Sequence, residues 1–262
     1  LIAMFIMIVT ACIRYFTFVN QTIYSESVDH LTEIMRQSDN ALNDLVERKF
    51  TYLHMWSDYL QNSSDESYIR DYIERAQEET KFSSFYFLSS EGDYMTAEGA
   101  TGYLGAEDDL GVQIREGKDT VTNAVLPGKP QLLVFACPEI CGNYRGFEYD
   151  AIAIAYYNSD IVKVLDTTAF DGDTGSHVIN TDGRIVVDHD DRTKGVYNFL
   201  AYLREHSNLS KEEMREFENG LQESDSSAML VELDGVRYYL IYEATGIQDW
   251  ILVTTVPADT VN

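Results

Sequence analysis

The chain has 262 residues, of which 45% are apolar, 12% aromatic and 24% charged, with only four prolines. That is enough apolar chain for one large domain or two small ones with a real core, and it excludes intrinsic disorder. Acidic residues outnumber basic ones 44 to 19 for a net charge of −25, which argues against nucleic acid or a basic lipid-binding face, and three cysteines exclude a disulfide scaffold.

The sequence opens on Leu1 and is expected to be an excerpt of a longer chain. Residues 1–13 carry no charge, Arg14 interrupts, and residues 15–19 continue apolar. Nineteen helical residues span about 28 Å, close to the roughly 30 Å of a bilayer core. Residues 1–19 therefore read as the outer part of a transmembrane helix, with Arg14 and Tyr15 snorkelling to the interface. A cleavable signal peptide lacks its basic flank and cleavage site here, and a buried core helix is the plain alternative.

Residues 20–61 read as one long amphipathic helix. Val28, Leu31, Met35, Ser38, Leu42, Leu45, Tyr52, Trp56 and Tyr59 recur in steps of mostly three and four, and a second stripe runs through Ile34, Ala41, Val46, Leu53 and Leu60. About 40 helical residues reach roughly 60 Å, far beyond the usual globular helix. The first, narrow seam suits a partner helix and hence a homodimer, and the second suits a packed domain. A helix that only serves its own core is the other reading.

Asn62-Ser63-Ser64-Asp65 breaks the helix, with Ser64 a candidate N-cap for a short helix through Tyr68, Ile69, Tyr72, Ile73 and Ala76. Phe85-Tyr86-Phe87-Leu88, a turn at Gly92, and Tyr94-Met95-Thr96 read as a hairpin. His177-Val178-Ile179-Asn180, a turn at Gly183, and Ile185-Val186-Val187 repeat it. Glycine at each turn supplies the positive φ a tight hairpin needs. After the first hairpin come a helix at 109–116 and strands at 120–125, 132–137 and 151–157. After the second come a helix at 198–205, a helix opened by the capping box Ser210 and Glu213 and closed at Asn219-Gly220, and strands at 228–233, 237–242 and 251–256. A helix at 159–165 joins the halves. The fold class is thus α+β: a long N-terminal helix, then two modules, at 62–165 and 166–262, each a five-stranded antiparallel sheet flanked by helices.

This arrangement resembles the double Cache sensor domains of bacterial receptors, whose modules are PAS-like. The resemblance rests on residues 85–95, on residues 175–187 and on the closing strand Trp250-Ile251-Leu252-Val253-Thr254-Thr255-Val256-Pro257. It covers residues 19–262. Residues 147–160 are similar to ectodomains attached to diguanylate cyclases or histidine kinases. The resemblance implies an extracytoplasmic sensor on the cell membrane, without enzymatic activity of its own, that binds a small molecule in the membrane-distal first module. The second module would pass the change through the membrane to a cytoplasmic output domain. The alternative is a Cache-fold interaction module that signals through a protein partner with no small ligand.

Amino-acid-sensing members carry an Arg-x-Trp-Tyr signature. Neither Trp56 nor Trp250 has an arginine two places before it, so an α-amino acid is not implied. The first module offers Tyr86, Tyr94, Arg115, Phe135 and Tyr157 as ligand-binding candidates, aromatic walls with a few polar tips. Arg115 would clamp a carboxylate, or is a solvated helix end beside Glu116. Ala151, Ala153 and Ala155 leave room on one strand face for a helix or a ligand.

Cys137 and Cys141 are candidates for a disulfide outside the cell, with free thiols or a metal as alternatives; two soft ligands with no histidine near in sequence do not make a zinc site. Asp188-His189-Asp190-Asp191 reads as a solvated turn. Asp171-Gly172-Asp173 lacks the later ligands of a calcium loop. No nucleophile elbow or phosphate-binding glycine loop is present, so no catalytic residue, metal site or cofactor is assigned.

Overall fold

The computed structural model describes residues 2–61, 65–104, 110–124, 131–138, 141–165, 174–223 and 226–260. The expected N-cap Ser64, the ends Asp109 and Val125, and Asp171 to Asp173 lie outside them.

Helix α1 (Ile2–Gln61) is 60 residues long. No glycine or proline interrupts it. The chain forms two compact units. One comprises residues 1–40, 166–185 and 189–262, the other residues 41–165 and 186–188. Both stripes of α1 are mostly buried: Leu31 and Met35 in the first unit, and Leu42, Val46, Leu53, Trp56 and Leu60 in the second. Of the seam expected to meet a partner helix, Tyr52 stays exposed and Val28 and Tyr59 are half-buried. Met4, Met7, Ile8, Val9, Ile13, Tyr15, Phe16 and Phe18 are all exposed. Among the described residues no helix is long and apolar enough to cross a membrane. The run expected to enter the bilayer starts at Leu1, outside those residues.

In the unit built on residues 41–165, α2 (Glu66–Thr80) is capped by Asp65, whose carboxylate accepts the Ser67 and Tyr68 N–H at 2.9 and 3.3 Å. Strands β1 (Ser84–Leu88), β2 (Asp93–Thr96) and β3 (Thr101–Tyr103) follow, then α3 (Leu110–Arg115), β4 (Thr120–Ala124) and β5 (Leu132–Cys137). The hairpin β6 (Gly142–Tyr144) and β7 (Phe147–Tyr149), strand β8 (Ala151–Tyr157) and helix α4 (Asn158–Leu165) complete it. The main sheet has six strands in the order β3-β2-β1-β8-β5-β4, all neighbours antiparallel. One face carries Phe85 and Phe135 against α1, where Trp56 meets Phe85 and Phe50 meets Phe135, and Phe87 beside them under the β6–β7 hairpin.

The other unit holds β9 (Gly175–Asn180), β10 (Ile185–His189), a 3-10 turn at Asp191–Thr193, α5 (Phe199–His206), α6 (Lys211–Gln222), β11 (Ser227–Leu233), β12 (Val236–Ala244) and β13 (Trp250–Pro257). Its sheet has five strands in the order β10-β9-β13-β12-β11. Phe199, Leu203, Phe217 and Leu221 from the two helices pack on Leu240, Ile251 and Val253.

The repeated turns are built alike: Gly92 and Gly183 have φ of 94° and 83°. The capping box closes, with the Ser210 N–H donating to Glu213 Oε2 at 2.8 Å and the Glu213 N–H to Ser210 Oγ at 3.3 Å. Helix α6 does not stop at Asn219-Gly220 as expected but runs on to Gln222. A Cβ at Gly220 would collide with the Tyr242 hydroxyl, so this glycine serves close packing on β12 and not a C-cap.

Candidate ligand-binding site

The second face of the six-stranded sheet is built by alternation along its central strands. Tyr86 and Leu88 of β1, Leu132, Val134 and Ala136 of β5, and Ala151, Ala153 and Ala155 of β8 form one buried cluster with Leu110 and Ile114 of α3. The register places Tyr86 opposite Ala153, and Ala153 opposite Ala136. Small side chains thus stand directly across from a large polar-tipped one. Tyr94 meets Tyr86 edge-on at 5.0 Å between ring centres. Tyr157 continues the same alternation on β8 and stays partly exposed.

The Tyr86 hydroxyl is buried with no hydrogen-bond partner among the described residues. Burial raises its pKa above the ordinary value; the Ser84 side chain, close to the hydroxyl but outside hydrogen-bond geometry, offsets part of the shift, and Tyr94 and Tyr157 add to it. Leaving a buried hydroxyl unpaired costs about 1–3 kcal/mol. A cavity of about 270 Å³ opens where β1 begins and β2 ends. Ser84, Thr96, Gln77, Glu98, Phe82 and Phe85 are among the residues that line it; Phe85 comes from the face that packs on α1, and Tyr86 is not one of the lining residues. Thr96 pairs with Tyr86 in the ladder, so the two share a face. The volume is near the lower end of ligand pockets, which run from roughly 300 to 1,000 Å³. Ser84, Thr96 and Glu98 bring polar side chains to it, and Gln77 Nε2 donates to the Phe82 and Ser83 carbonyl oxygens at 3.2 and 3.3 Å. None of these four was singled out from sequence, although Thr96 is reached by counting across the Gly92 turn from Tyr86.

Tyr86, Tyr94 and Tyr157 share a face, and the other two candidates do not join them. Phe135 points to the opposite face and packs edge-on against Phe50 and Tyr156, at 5.7 and 5.9 Å. Its strand is buried on both sides, so its sequence has no alternation to reveal the face. Arg115 is exposed and donates from Nη1 to the Ser90 carbonyl oxygen at 2.8 Å. It anchors the β1–β2 turn to α3, and Gly111 leaves room for that approach, since a Cβ there would press on Ser90. Replacing Arg115 with Ala is expected to lower stability by about 1 kcal/mol, the loss of one partly solvated charged hydrogen bond, with ligand affinity unchanged. Urea unfolding checks the first part and titration the second.

Cys137 and Cys141, the candidates for a disulfide, are not joined in this structure; Cys137 is buried and Cys141 exposed. The Cys137 Sγ lies 3.5 Å from Nδ1 of His54 instead. His54 Nε2 is in turn 2.7 Å from Asp119 Oδ2.

In the other unit, Asp190 is not the solvated turn residue its neighbours suggest. Its carboxylate is mostly buried and takes three hydrogen bonds from the Arg192 guanidinium, at 2.5 to 2.9 Å. It also accepts the Arg192 backbone N–H at 2.9 Å. His177 Nε2 is 3.7 Å away, and Arg192 Nη2 donates on to Thr255 Oγ1 at 2.7 Å. Burial pushes the Asp190 pKa up, but His177 and Arg192 together outweigh it and hold the carboxyl well below the usual range. A Cβ at Gly175 would collide with the Asp190 carboxylate, so this glycine makes room for the pair.

A long helix carrying two sheet modules of this topology is a fold shared with solved ligand-binding domains of sensory receptors. The ligand-binding domain of the Pseudomonas aeruginosa PAO1 amino acid chemoreceptor PctB, in complex with L-Gln, matches with a TM-score of 0.63 at 15% identity, over 89% of this chain and 92% of that one. The sensory domain of the Campylobacter jejuni chemoreceptor Tlp3 (CcmL) matches with a TM-score of 0.59 at 10% identity, over 94% and 99%. The extracellular domain of the histidine kinase mmHK1S-Z3 matches with a TM-score of 0.59 at 11% identity, over 88% and 95%. No family model matches the sequence. No curated protein matches it either.

Proposed function

We propose that this chain is the extracytoplasmic sensory domain of a bacterial signalling receptor and binds a small polar molecule at the Tyr86 face of its first module. The observation that carries the reading is the Tyr86 hydroxyl, buried, unpartnered among the described residues and facing the alanines of β8, with a cavity lined in part by Ser84 and Thr96 at the start of β1. A ligand that supplies the missing hydrogen bond recovers the cost of leaving it unmade. The similar solved domains support the class of ligand: PctB was solved with L-Gln and with L-Arg, and PctC with GABA. Amino acids and related amines and carboxylates are therefore the first probes, although this chain lacks the Arg-x-Trp-Tyr signature.

Membrane attachment through residues 1–19 is part of the same proposal. Eight exposed large apolar side chains between Met4 and Phe18 form a surface that water solvates poorly and a bilayer covers. Residues after about 20 would then lie outside the cytoplasm, with a diguanylate cyclase or histidine kinase as the output. Most of the stripe expected to form a dimer is buried, but Tyr52 of that stripe and Met55 beside it are exposed, so a homodimer would use the side of α1 that carries these two.

Replacing Tyr86 with Phe tests the site. Without ligand the variant should be as stable as the parent or slightly more so, because an unsatisfied polar group is removed. Its affinity for the ligand should fall about tenfold, the loss of one hydrogen bond of about 1.4 kcal/mol. Unchanged affinity in calorimetric titration would remove Tyr86 from the site.

A further inference from the structure

We infer that His54, Asp119 and Cys137 form a binding site for a soft divalent metal ion, with zinc the best fit. His54 stands on α1, Asp119 immediately before β4, and Cys137 at the end of β5. One donor atom from each lies within 4.8 Å of the other two. His54 is 65 residues from Asp119 and 83 from Cys137, so the tertiary fold and no local motif brings them together.

Imidazole, thiolate and carboxylate are the three side-chain groups that zinc takes. With Zn–S of about 2.3 Å and Zn–N of about 2.0 Å, a tetrahedral ion holds its sulfur and nitrogen roughly 3.5 Å apart. The Cys137 Sγ and His54 Nδ1 are 3.5 Å apart. The pair already has the spacing of two ligands on one edge of a tetrahedron. Asp119 Oδ2 sits on the far nitrogen of the ring at 2.7 Å, shorter than the separation of two ligands on one ion. It is the member that moves when the ion binds.

The side chains differ in freedom as a metal site requires. Cys137 is fully buried in β5, which fixes the sulfur. The His54 and Asp119 side chains are 36% and 32% exposed, so both can adjust and an ion can enter from solvent. Without metal the three groups are held by contacts with one another, the ring lying between thiol and carboxylate. With metal, the Cys137 S–H bond is replaced by an S–metal bond, its proton is released to solvent, and Asp119 swings to the ion as third ligand. The fourth position is open to water or to a donor from a bound molecule. Such an ion joins α1 to the sheet of its own unit, so its occupancy bears on the helix itself.

The experiment titrates the whole chain with cobalt(II), a coloured stand-in for zinc, in the presence of a non-chelating reductant. One equivalent should give a sulfur-to-cobalt charge-transfer band in the near ultraviolet, with the visible bands of a tetrahedral ion, and zinc should displace it. Cys137→Ser should abolish the charge-transfer band. His54→Ala and Asp119→Asn, at partly exposed positions that leave the core intact, should each weaken cobalt binding at least tenfold. Cys141→Ser should change nothing. No sulfur band in the parent chain, an unchanged affinity in His54→Ala, or a band lost only in Cys141→Ser would overturn the assignment. None of these readouts depends on the small-molecule site.

Discussion

Replacing Asp190 with Ala is expected to destabilise the unit that contains it by about 3 kcal/mol. The substitution leaves the Arg192 guanidinium without the carboxylate that takes three of its hydrogen bonds, beside His177 in the interior. Removing one partner of a buried pair is costly because the other charge stays behind uncompensated. Arg192 keeps Thr255 and a contact with the Tyr238 ring at 4.5 Å, which is why the cost is set at the low end of the range for such pairs. The pH dependence has a definite sign. The Asp190 carboxyl is held well below the usual carboxylate range in the folded protein. Its contribution is therefore complete above the unfolded value of about 3.9 and is lost as pH falls through the lower folded value. Asp190→Asn should remove that part of the acid dependence. Urea unfolding at neutral and at acid pH measures both effects, and a loss under about 1 kcal/mol at neutral pH would show that the pair is not structural.

Replacing Phe87 with Ala should cost about 3–5 kcal/mol in the other unit. Phe87 is fully buried. It stacks on Tyr144 at 4.4 Å and packs against Tyr149 and Phe85 at 4.9 and 5.3 Å. Rings on a sheet and on the β6–β7 hairpin cannot collapse into the space together, so most of the cavity would remain. The hairpin should loosen first, because Tyr144 ties it down through this stack and through its hydroxyl, which donates to the Ala97 carbonyl at 2.8 Å. Hydrogen exchange at residues 142–149 should rise in the variant before global unfolding does. Exchange that rises evenly across the unit would contradict this.

Much of the fold was legible because its signals are local. Gly92 and Gly183 mark the two repeated hairpins, and both adopt the positive φ the turns need. The Ser210 and Glu213 capping box identifies the start of α6 within its own four residues. The β6–β7 hairpin was missed because its strands have three residues each, too short for alternation to show. Its signal was Arg145-Gly146, both at positive φ, 54° and 86°, the pair of conformations that two-residue hairpins favour. Strand β3 was passed over for the same reason of length.

The site was less legible than the fold. Phe135 lies on the face opposite Tyr86, and no face could be read for it, because β5 is buried along all six residues and a strand without a solvated side has no period of two. Asp190 was hidden by its acidic neighbours: its anchor Arg192 is two residues on, but the burial comes from strands far away in sequence. The approach of His54 and Asp119 to Cys137 is wholly tertiary, so no spacing rule applied to the cysteine region finds it. Tyr86 and the alanines of β8 were visible as types, and only the register puts them opposite one another.

The most direct test of the sensory reading is a thermal-shift screen of the chain against small carboxylates, amino acids, amines, purines and sugars, run in parallel on the parent and on Tyr86→Phe. A ligand present at a hundred times its dissociation constant adds about 2.7 kcal/mol of stability. The account predicts such a gain from one chemical class in the parent and a smaller gain in Tyr86→Phe at the same concentration. No gain from any class would contradict it and favour signalling through a protein partner, and an equal gain in both proteins would place the ligand elsewhere.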